Sequence, residues 1–320
     1  DSFSISRTYF TYKNDISDEL SYTFQTDVGK VGSDDRWTAY LKKAHINWKI
    51  NNEMKISMGL IGLNMFNVQE KTWGNRFVAK SAMDAKGFSS SADLGIGVTK
   101  DFGLFITNIM ITNGEGFKNM DTDNNSKISL QLLMGEKNLN KNDGYNLGIV
   151  YSNLKAKGVA AGYVWELCEF DLINCGNTNG NWIPLLEQPE TDTNVTGLFG
   201  GWSSGNIIIG AEYNKMEVSR SYSNSNDNDD ISRKLTSIYV NYTINNSLSA
   251  FVRGDIYKPE NLIAEEKTTI AGLIWSPTKG LDICPNITKT NKWDDWDDNE
   301  GTAVTEGSKD DCKINFQFKF

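Results

Sequence analysis

No stretch of the chain comes near 18 consecutive apolar residues, which excludes a transmembrane helix. It does not exclude a membrane barrel, whose strands turn only every second side chain to lipid. Histidine occurs once, at His45, and the cysteines Cys168, Cys175, Cys284 and Cys312 form no CxxC pair, so the ligand spacing of a zinc site is missing. Proline occurs five times, at Pro184, Pro189, Pro259, Pro277 and Pro285, in or beside segments that read as loops. No glycine-rich phosphate loop or redox motif is present. No positively charged apolar leader opens the chain, which reads as a mature form with its export signal removed. A net charge of −9 argues against nucleic acid as a partner. The acid gathers in patches, DTDNN (121–125), DNDD (227–230) and DDWDDNE (294–300), that read as solvated loops.

What is present is alternation with period two, the pattern of a strand with one apolar and one wet face. The chain ends CKINFQFKF, where Ile314, Phe316, Phe318 and Phe320 alternate with Lys313, Asn315, Gln317 and Lys319. The same pattern runs through LSYTFQTDV (20–28), MKISMGL (54–60), TSIYVNYTI (236–244) and LSAFVRGDIY (248–257). Further strands are predicted near 3–12, 36–50, 91–100, 102–112, 127–137, 144–153, 158–168, 194–203, 206–217, 267–276 and 281–288. NDISD (14–18), NNE (51–53), KDFG (100–103), SSGN (203–206), NNS (245–247) and SPTKG (276–280) read as tight turns. Residues 64–90, 113–126, 169–193, 218–231 and 289–309 are long and polar. Short turns at one end and long loops at the other describe an all-β fold, a transmembrane antiparallel β-barrel of about 16 strands, with 14–18 open. The whole of 1–320 is expected to be one such domain. Counted from the two ends, strands 144–153 and 158–168 would run the same way, so one strand is missed or invented between 126 and 195 or misplaced near the N-terminus. Tyr22, Tyr40, Trp48, Tyr242 and Trp275 suit interfacial girdles. The competing fold is a soluble double-sheet β protein, which also alternates.

One segment carries a resemblance. Ala44 to Trp48, Gly59 to Asn64, Glu70 to Lys80 (EKTWGNRFVAK) and Ser91 to Gly95 (SADLG) follow one another in LKKAHINWKINNEMKISMGLIGLNMFNVQEKTWGNRFVAKSAMDAKGFSSSADLGIGV, residues 41–98. With the opening RTYFTYKNDISDELSYTFQTDVG (7–29) and NGEGF (113–117), this stretch resembles bacterial porins of the phosphate-selective porin O and P group, especially the Bacteroidetes and Chlorobi type. The likeness covers about the first 120 residues and departs at His45, Asn64 and Asn75. It implies a passive pore narrowed by an inward-folded loop, and residues 64–90 are the proposed constriction.

Lys71, Arg76, Lys80 and Lys86 of that loop are the candidate selectivity residues, because cations at a constriction lower the barrier for anions. Glu70 and Asp84 offset part of their charge. The competing role for Trp73, Arg76 and Phe77 is to anchor the loop to the wall. Lys43, His45, Lys49, Arg253 and Asp255 are expected to line the lumen. A lone histidine without a nucleophile or second acid does not make a catalytic site, so no enzyme is expected. Asp121, Asp123 and Asn125 are spaced as in a surface Ca²⁺ loop, although the glycine and distal glutamate of an EF-hand are lacking; no other cofactor is implied. Cys168–Cys175 and Cys284–Cys312 is the disulfide pairing of three that flanks one loop each. The reading is an outer-membrane porin of a Gram-negative bacterium, leaning to anions. Its partners are outer-membrane lipid, lipopolysaccharide and small hydrophilic solutes, with a homotrimer among the assemblies open to it. A non-conducting structural barrel and a soluble β-sandwich binding protein are the rivals.

Overall fold

A computed structural model of the chain describes residues 3–30, 36–119, 125–157, 162–166, 181–185, 190–221, 229–259, 265–294 and 305–320. The strands begin with β1 (Phe10–Asp15), β2 (Leu20–Lys30), β3 (Trp37–Lys49), β4 (Met54–Gly62), β5 (Ala92–Asp101), β6 (Ile106–Thr112), β7 (Lys127–Gly135) and β8 (Gly144–Ala156). A separate hairpin of β9 (Gly162–Glu166) and β10 (Asn181–Leu185) pairs only with itself. The main sheet resumes with β11 (Glu190–Ser204), β12 (Ile207–Ser221), β13 (Asp229–Asn245), β14 (Leu248–Lys258), β15 (Glu266–Thr278), β16 (Leu281–Asp294) and β17 (Thr305–Phe318). Fifteen strands thus form one antiparallel sheet in chain order, β8 pairing directly with β11.

That join removes the conflict of directions. The described part of 158–168, residues 162–166, is β9 of the side hairpin and not a strand of the main sheet. With fifteen strands of alternating sense, β1 and β17 at the two ends of the order run the same way.

Short connections lie at one end, and polar side chains shape them. Ser17 Oγ accepts from the Leu20 amide at 3.1 Å, and Asn51 Oδ1 from the Glu53 and Met54 amides at 2.9 and 2.8 Å. Asn245 Oδ1 does the same for the Ser247 amide at 2.9 Å. Such side chains stand in for backbone partners in a tight turn. The long connections, including 63–91, lie at the other end.

The alternation is oriented opposite to that of a water-soluble sheet. Outward residues are large and apolar, among them Ile238 (58% exposed), Trp275 (51%) and Phe318 (69%). Inward residues of the same strands are polar and buried, such as Ser237 on β13 and Arg253 on β14. A β-sandwich buries its apolar faces against each other, so this wall is no sandwich. An apolar belt facing out over a polar interior is the arrangement that hydrocarbon, and not water, covers.

Two sequence expectations fail at defined irregularities. The β2–β3 register shifts between Gln25–Lys43 and Thr26–Leu41, so Lys42 is the extra residue of a β-bulge. The bulge turns Lys42 inward and reverses the facing of the residues before it. Tyr40 therefore leaves the outer girdle; its hydroxyl donates to Asp27 Oδ2 at 3.1 Å and its ring stacks on Phe117. Pro285 lies inside β16, not in a loop. The β15–β16 register passes from Gly272–Asn286 to Trp275–Ile283 without including it, as a residue lacking an N–H requires.

Ile238 lies on the outward face of β13, four residues from Lys234 and six from Ile244. Ile238→Arg is expected to cost about 2–4 kcal/mol of unfolding free energy in denaturant titrations on liposomes. A change below about 0.5 kcal/mol would mean that the belt does not face lipid.

Candidate functional site

Residues 63–91, which leave β4 and return to β5, fold against the inner face of the wall. Their first half forms α1 (Asn67–Trp73), closed by Gly74 in the left-handed conformation (φ 71°), whose N–H bonds to the Glu70 carbonyl at 3.0 Å. A short α2 (Ala82–Ala85) follows. Gly201 on β11 makes room: a Cβ there would sit 3.0 Å from Thr72 Cγ2 and 2.8 Å from Leu139 Cδ1.

Apolar packing holds the loop on one side. Met65, Phe66, Val68, Met83 and Phe88 pack with Leu133, Val150, Val195, Phe199, Met216 and Leu235 of the wall. Trp73 meets Tyr239 and Phe251 edge-on, with ring centroids 5.2 and 5.5 Å apart. Phe77, Val78 and Ala79 pack against the cluster that Trp73, Tyr239 and Phe251 form with Ile270 and the fully buried Cys284. Polar anchors fix the register of this packing. Asn241 Nδ2 donates to the Trp73 carbonyl at 2.9 Å, Gln131 Nε2 to Asn67 Oδ1 at 2.8 Å, and Asn315 Nδ2 to the Phe77 carbonyl at 3.1 Å. One loop therefore touches strands from β7 to β17, which a flat sheet does not permit; the sheet curls around it.

On its other side the loop borders a cavity of about 830 Å³, against β1 to β7. Lys13, Lys42, Lys43, Lys55, Lys71, Arg76 and Lys137 line it, together with His45, and Glu70 is the one carboxylate among the described lining residues. Arg76 pairs with Glu70, and with Asp84 at 2.5 Å. Burial works against the Arg76 charge, but Glu70 and Asp84 outweigh it and hold its pKa above the ordinary value. Burial also raises the Glu70 carboxyl; Arg76 pulls it back and Asp84 adds to the rise. The Lys71 ammonium is lowered, first by burial and then by repulsion from Lys137.

The sequence-predicted residues are thus divided. Lys71, Arg76, Lys43 and His45 meet at the cavity. Lys80 stands off it, 52% exposed and 3.5 Å from Asp84. Lys86 is bound to Glu266 at 2.6 Å. Lys49 is at the short-turn rim, its Nζ donating to the Asp18 carbonyl at 3.3 Å. Arg253 and Asp255 face inward but are sealed under the loop and do not line open space. Arg253 Nε and Nη2 donate to Asp255 at 2.8 and 2.6 Å, Nη1 donates to the Lys80 carbonyl at 2.6 Å, and the guanidinium lies over Trp73. The anchoring role foreseen for Trp73 and Phe77 is the one they have; Arg76 pairs within its own loop.

Cys284 and Cys312 are free thiols, which corrects the pairing between them. The β16–β17 register sets Cys284 opposite Asn315 and Cys312 opposite Ile287, three places apart and therefore on opposite faces. Cys168, Cys175, Asp121 and Asp123 lie outside the described residues, as does most of 294–300, while Asn125 is described without its two neighbours in the proposed Ca²⁺ loop. Lys13, Lys42, Lys55 and Lys137 were missed. Lys13 and Lys55 had only their place on wet faces to mark them, and Lys42 was hidden by the bulge.

No protein-family description and no curated protein matches the chain. Solved structures do. OmpT of Vibrio cholerae, an outer-membrane protein, superposes with a TM-score of 0.63 at 11% identity over 98% of this chain and 88% of its own. An anion-selective porin from Comamonas acidovorans gives 0.65 at 10% identity over 98% and 89%. OmpF of Salmonella typhi, in complex with daunomycin, gives 0.56 at 13% identity over 99% and 92%. At such identities the likeness is one of fold, and the fold is that of an outer-membrane porin barrel.

Because Cys284 is buried in the cluster that the loop's Trp73 completes, it reports on the anchor. With the other three cysteines replaced by serine, Arg253→Ala is expected to destabilise the protein by about 3–5 kcal/mol, leaving Asp255 buried and unpaired. It should also expose Cys284 to maleimide at least tenfold faster. Unchanged labelling, with the barrel folded, would show that Arg253 does not hold the loop.

Proposed function

We propose that the chain is a passive, non-enzymatic pore of a Gram-negative outer membrane, passing small hydrophilic solutes with a preference for anions. The observation that carries this reading is the charge of the cavity, seven cations to one carboxylate among the described residues that line it along one side of an inward loop. Net charge says the opposite, but a permeating ion responds to the charges within reach of its path, since those beyond a Debye length of about 10 Å are screened. The shared fold of an anion-selective porin supports the same sign. The resemblance of residues 1–120 to the phosphate-selective porin O and P group makes phosphate the first anion to test, and a homotrimer the first assembly.

The loop acts as the filter by its placement. Packed on β7 to β17, it leaves a lane against β1 to β7, where Lys71 and Arg76 face Lys43 and Lys55. Low-dielectric walls strengthen each of these charges toward an ion stripped of part of its water. The rival reading, a non-conducting structural barrel, draws on the same packing, since the loop occupies much of the interior.

Planar-bilayer recordings under a salt gradient separate the two. Open steps with an anion-biased reversal potential are expected, with the bias reduced or inverted by Lys55→Glu plus Lys71→Glu. Silence from a correctly folded barrel would favour the structural role, and a cation bias would remove the lane as the filter.

The bias should also follow pH. Glu70, with its pKa raised, is neutralised above the ordinary glutamate range, so acid strengthens anion preference. Lys71, with its pKa lowered, loses its charge below the ordinary lysine range, so alkali weakens it early. A reversal potential flat across both ranges would show that neither group reaches the permeating ion.

A further inference from the structure

The outward face carries a row of like charges. Lys215 on β12 pairs directly with Lys234 on β13, and Lys234 with Lys258 on β14. All three stand one place beyond the belt residues Tyr213, Thr236 and Ile256, which are themselves cross-strand neighbours. Tyr213 and Ile256 are 45% and 40% exposed, and so share the outward face. Directly opposed side chains in a sheet are about 5 Å apart at Cβ, and like charges at that spacing destabilise the pair.

Two carboxylates relieve the ends of the row. Glu217 meets Lys215 at 2.5 Å, and Glu265 meets Lys258 at 2.8 Å and Lys267 at 3.2 Å. Lys234, between them, has no carboxylate within 4.0 Å among the described residues. Lys267 is opposite Ile256, which brings a fourth ammonium to the same patch. The row lies toward the long-connection end, on the opposite face of the wall from the cavity.

We propose that this row is a docking site for the phosphate-bearing headgroup of a membrane lipid. A phosphate placed over Lys234 would relieve the repulsion on both sides, and the acyl chains would descend over Tyr213, Ile238 and Ile256. That apolar surface directly below the charges favours a lipid over free phosphate, which has no use for it. Lysine suits the task, because its aliphatic stem covers the belt edge while the ammonium reaches the headgroup plane. The inference rests on the barrel lying in a membrane, but not on its conducting.

Native mass spectrometry of the delipidated full chain in detergent tests it. The probes are lipid A with two phosphates, zwitterionic phosphatidylethanolamine, and orthophosphate. Lipid A is expected to bind and to resist displacement by millimolar orthophosphate. Lys215→Gln, Lys234→Gln and Lys258→Gln together should weaken it roughly 100-fold, and Lys234→Gln alone about fivefold. The single variant carries the test if the triple one does not fold. Heat-modifiable gel mobility and conductance should be unchanged, since the row is off the lumen.

Equal lipid A retention in the variants would overturn the site, as would equal binding of phosphatidylethanolamine. Displacement by orthophosphate alone would reduce it to a surface anion site and overturn the lipid assignment. A chain that stays monodisperse without detergent would instead overturn the membrane reading itself.

Discussion

The constraint on which the structure depends is backbone hydrogen bonding away from water. In hydrocarbon each unpaired N–H or C=O costs several kcal/mol, and no solvent supplies a substitute. A sheet meets that demand wherever a strand lies between two neighbours, as every strand of the main sheet between β1 and β17 does. It does so here with strands of 6 to 17 residues joined by tight turns at one end. Once the backbone is satisfied between strands, side chains are free to separate by face. Apolar residues then go outward, and everything that needs water or a polar partner goes inward.

The second requirement follows from the first. A wall this long encloses more space than its own inward side chains fill, so the interior needs content. Residues 63–91 supply it, and they bring the two largest buried apolar clusters among the described residues. Trp73 and Arg253 are central to that packing. The indole contributes area between two aromatic rings, and the guanidinium converts a buried aspartate into a support for the Lys80 carbonyl. The interior is then asymmetric. By lying against β7 to β17, the loop leaves the cavity on the β1 to β7 side, where the cations are.

Much of this was legible. Alternation in 248–257 separated Val252 and Ile256 from Phe251, Arg253 and Asp255, and the structure keeps those faces. Turn chemistry marked NNE and NNS, because Asn51 and Asn245 cap their own turns. What alternation cannot register is a break in its own period. The bulge at Lys42 and the ladder gap at Pro285 each involve a contact with a neighbouring strand, which a one-dimensional pattern does not contain. The hairpin of β9 and β10 misled for a related reason: a short strand looks the same whether its partner lies in the wall or beside it.

The sequence by itself determined the class of fold and the face each regular residue takes, because both follow from the two-residue period and the polarity of neighbours. It also determined that 64–90 would be special, since a long polar segment rich in charge and aromatics stands between two clean strands. Only the tertiary structure decided which inward charges face open space. Arg253 and Lys43 are alike in sequence, both basic and both on wet faces. One is sealed under a tryptophan and the other lines the cavity, because the loop comes to rest on one side of the barrel. That choice depends on packing between residues more than a hundred positions apart, and no local pattern records it.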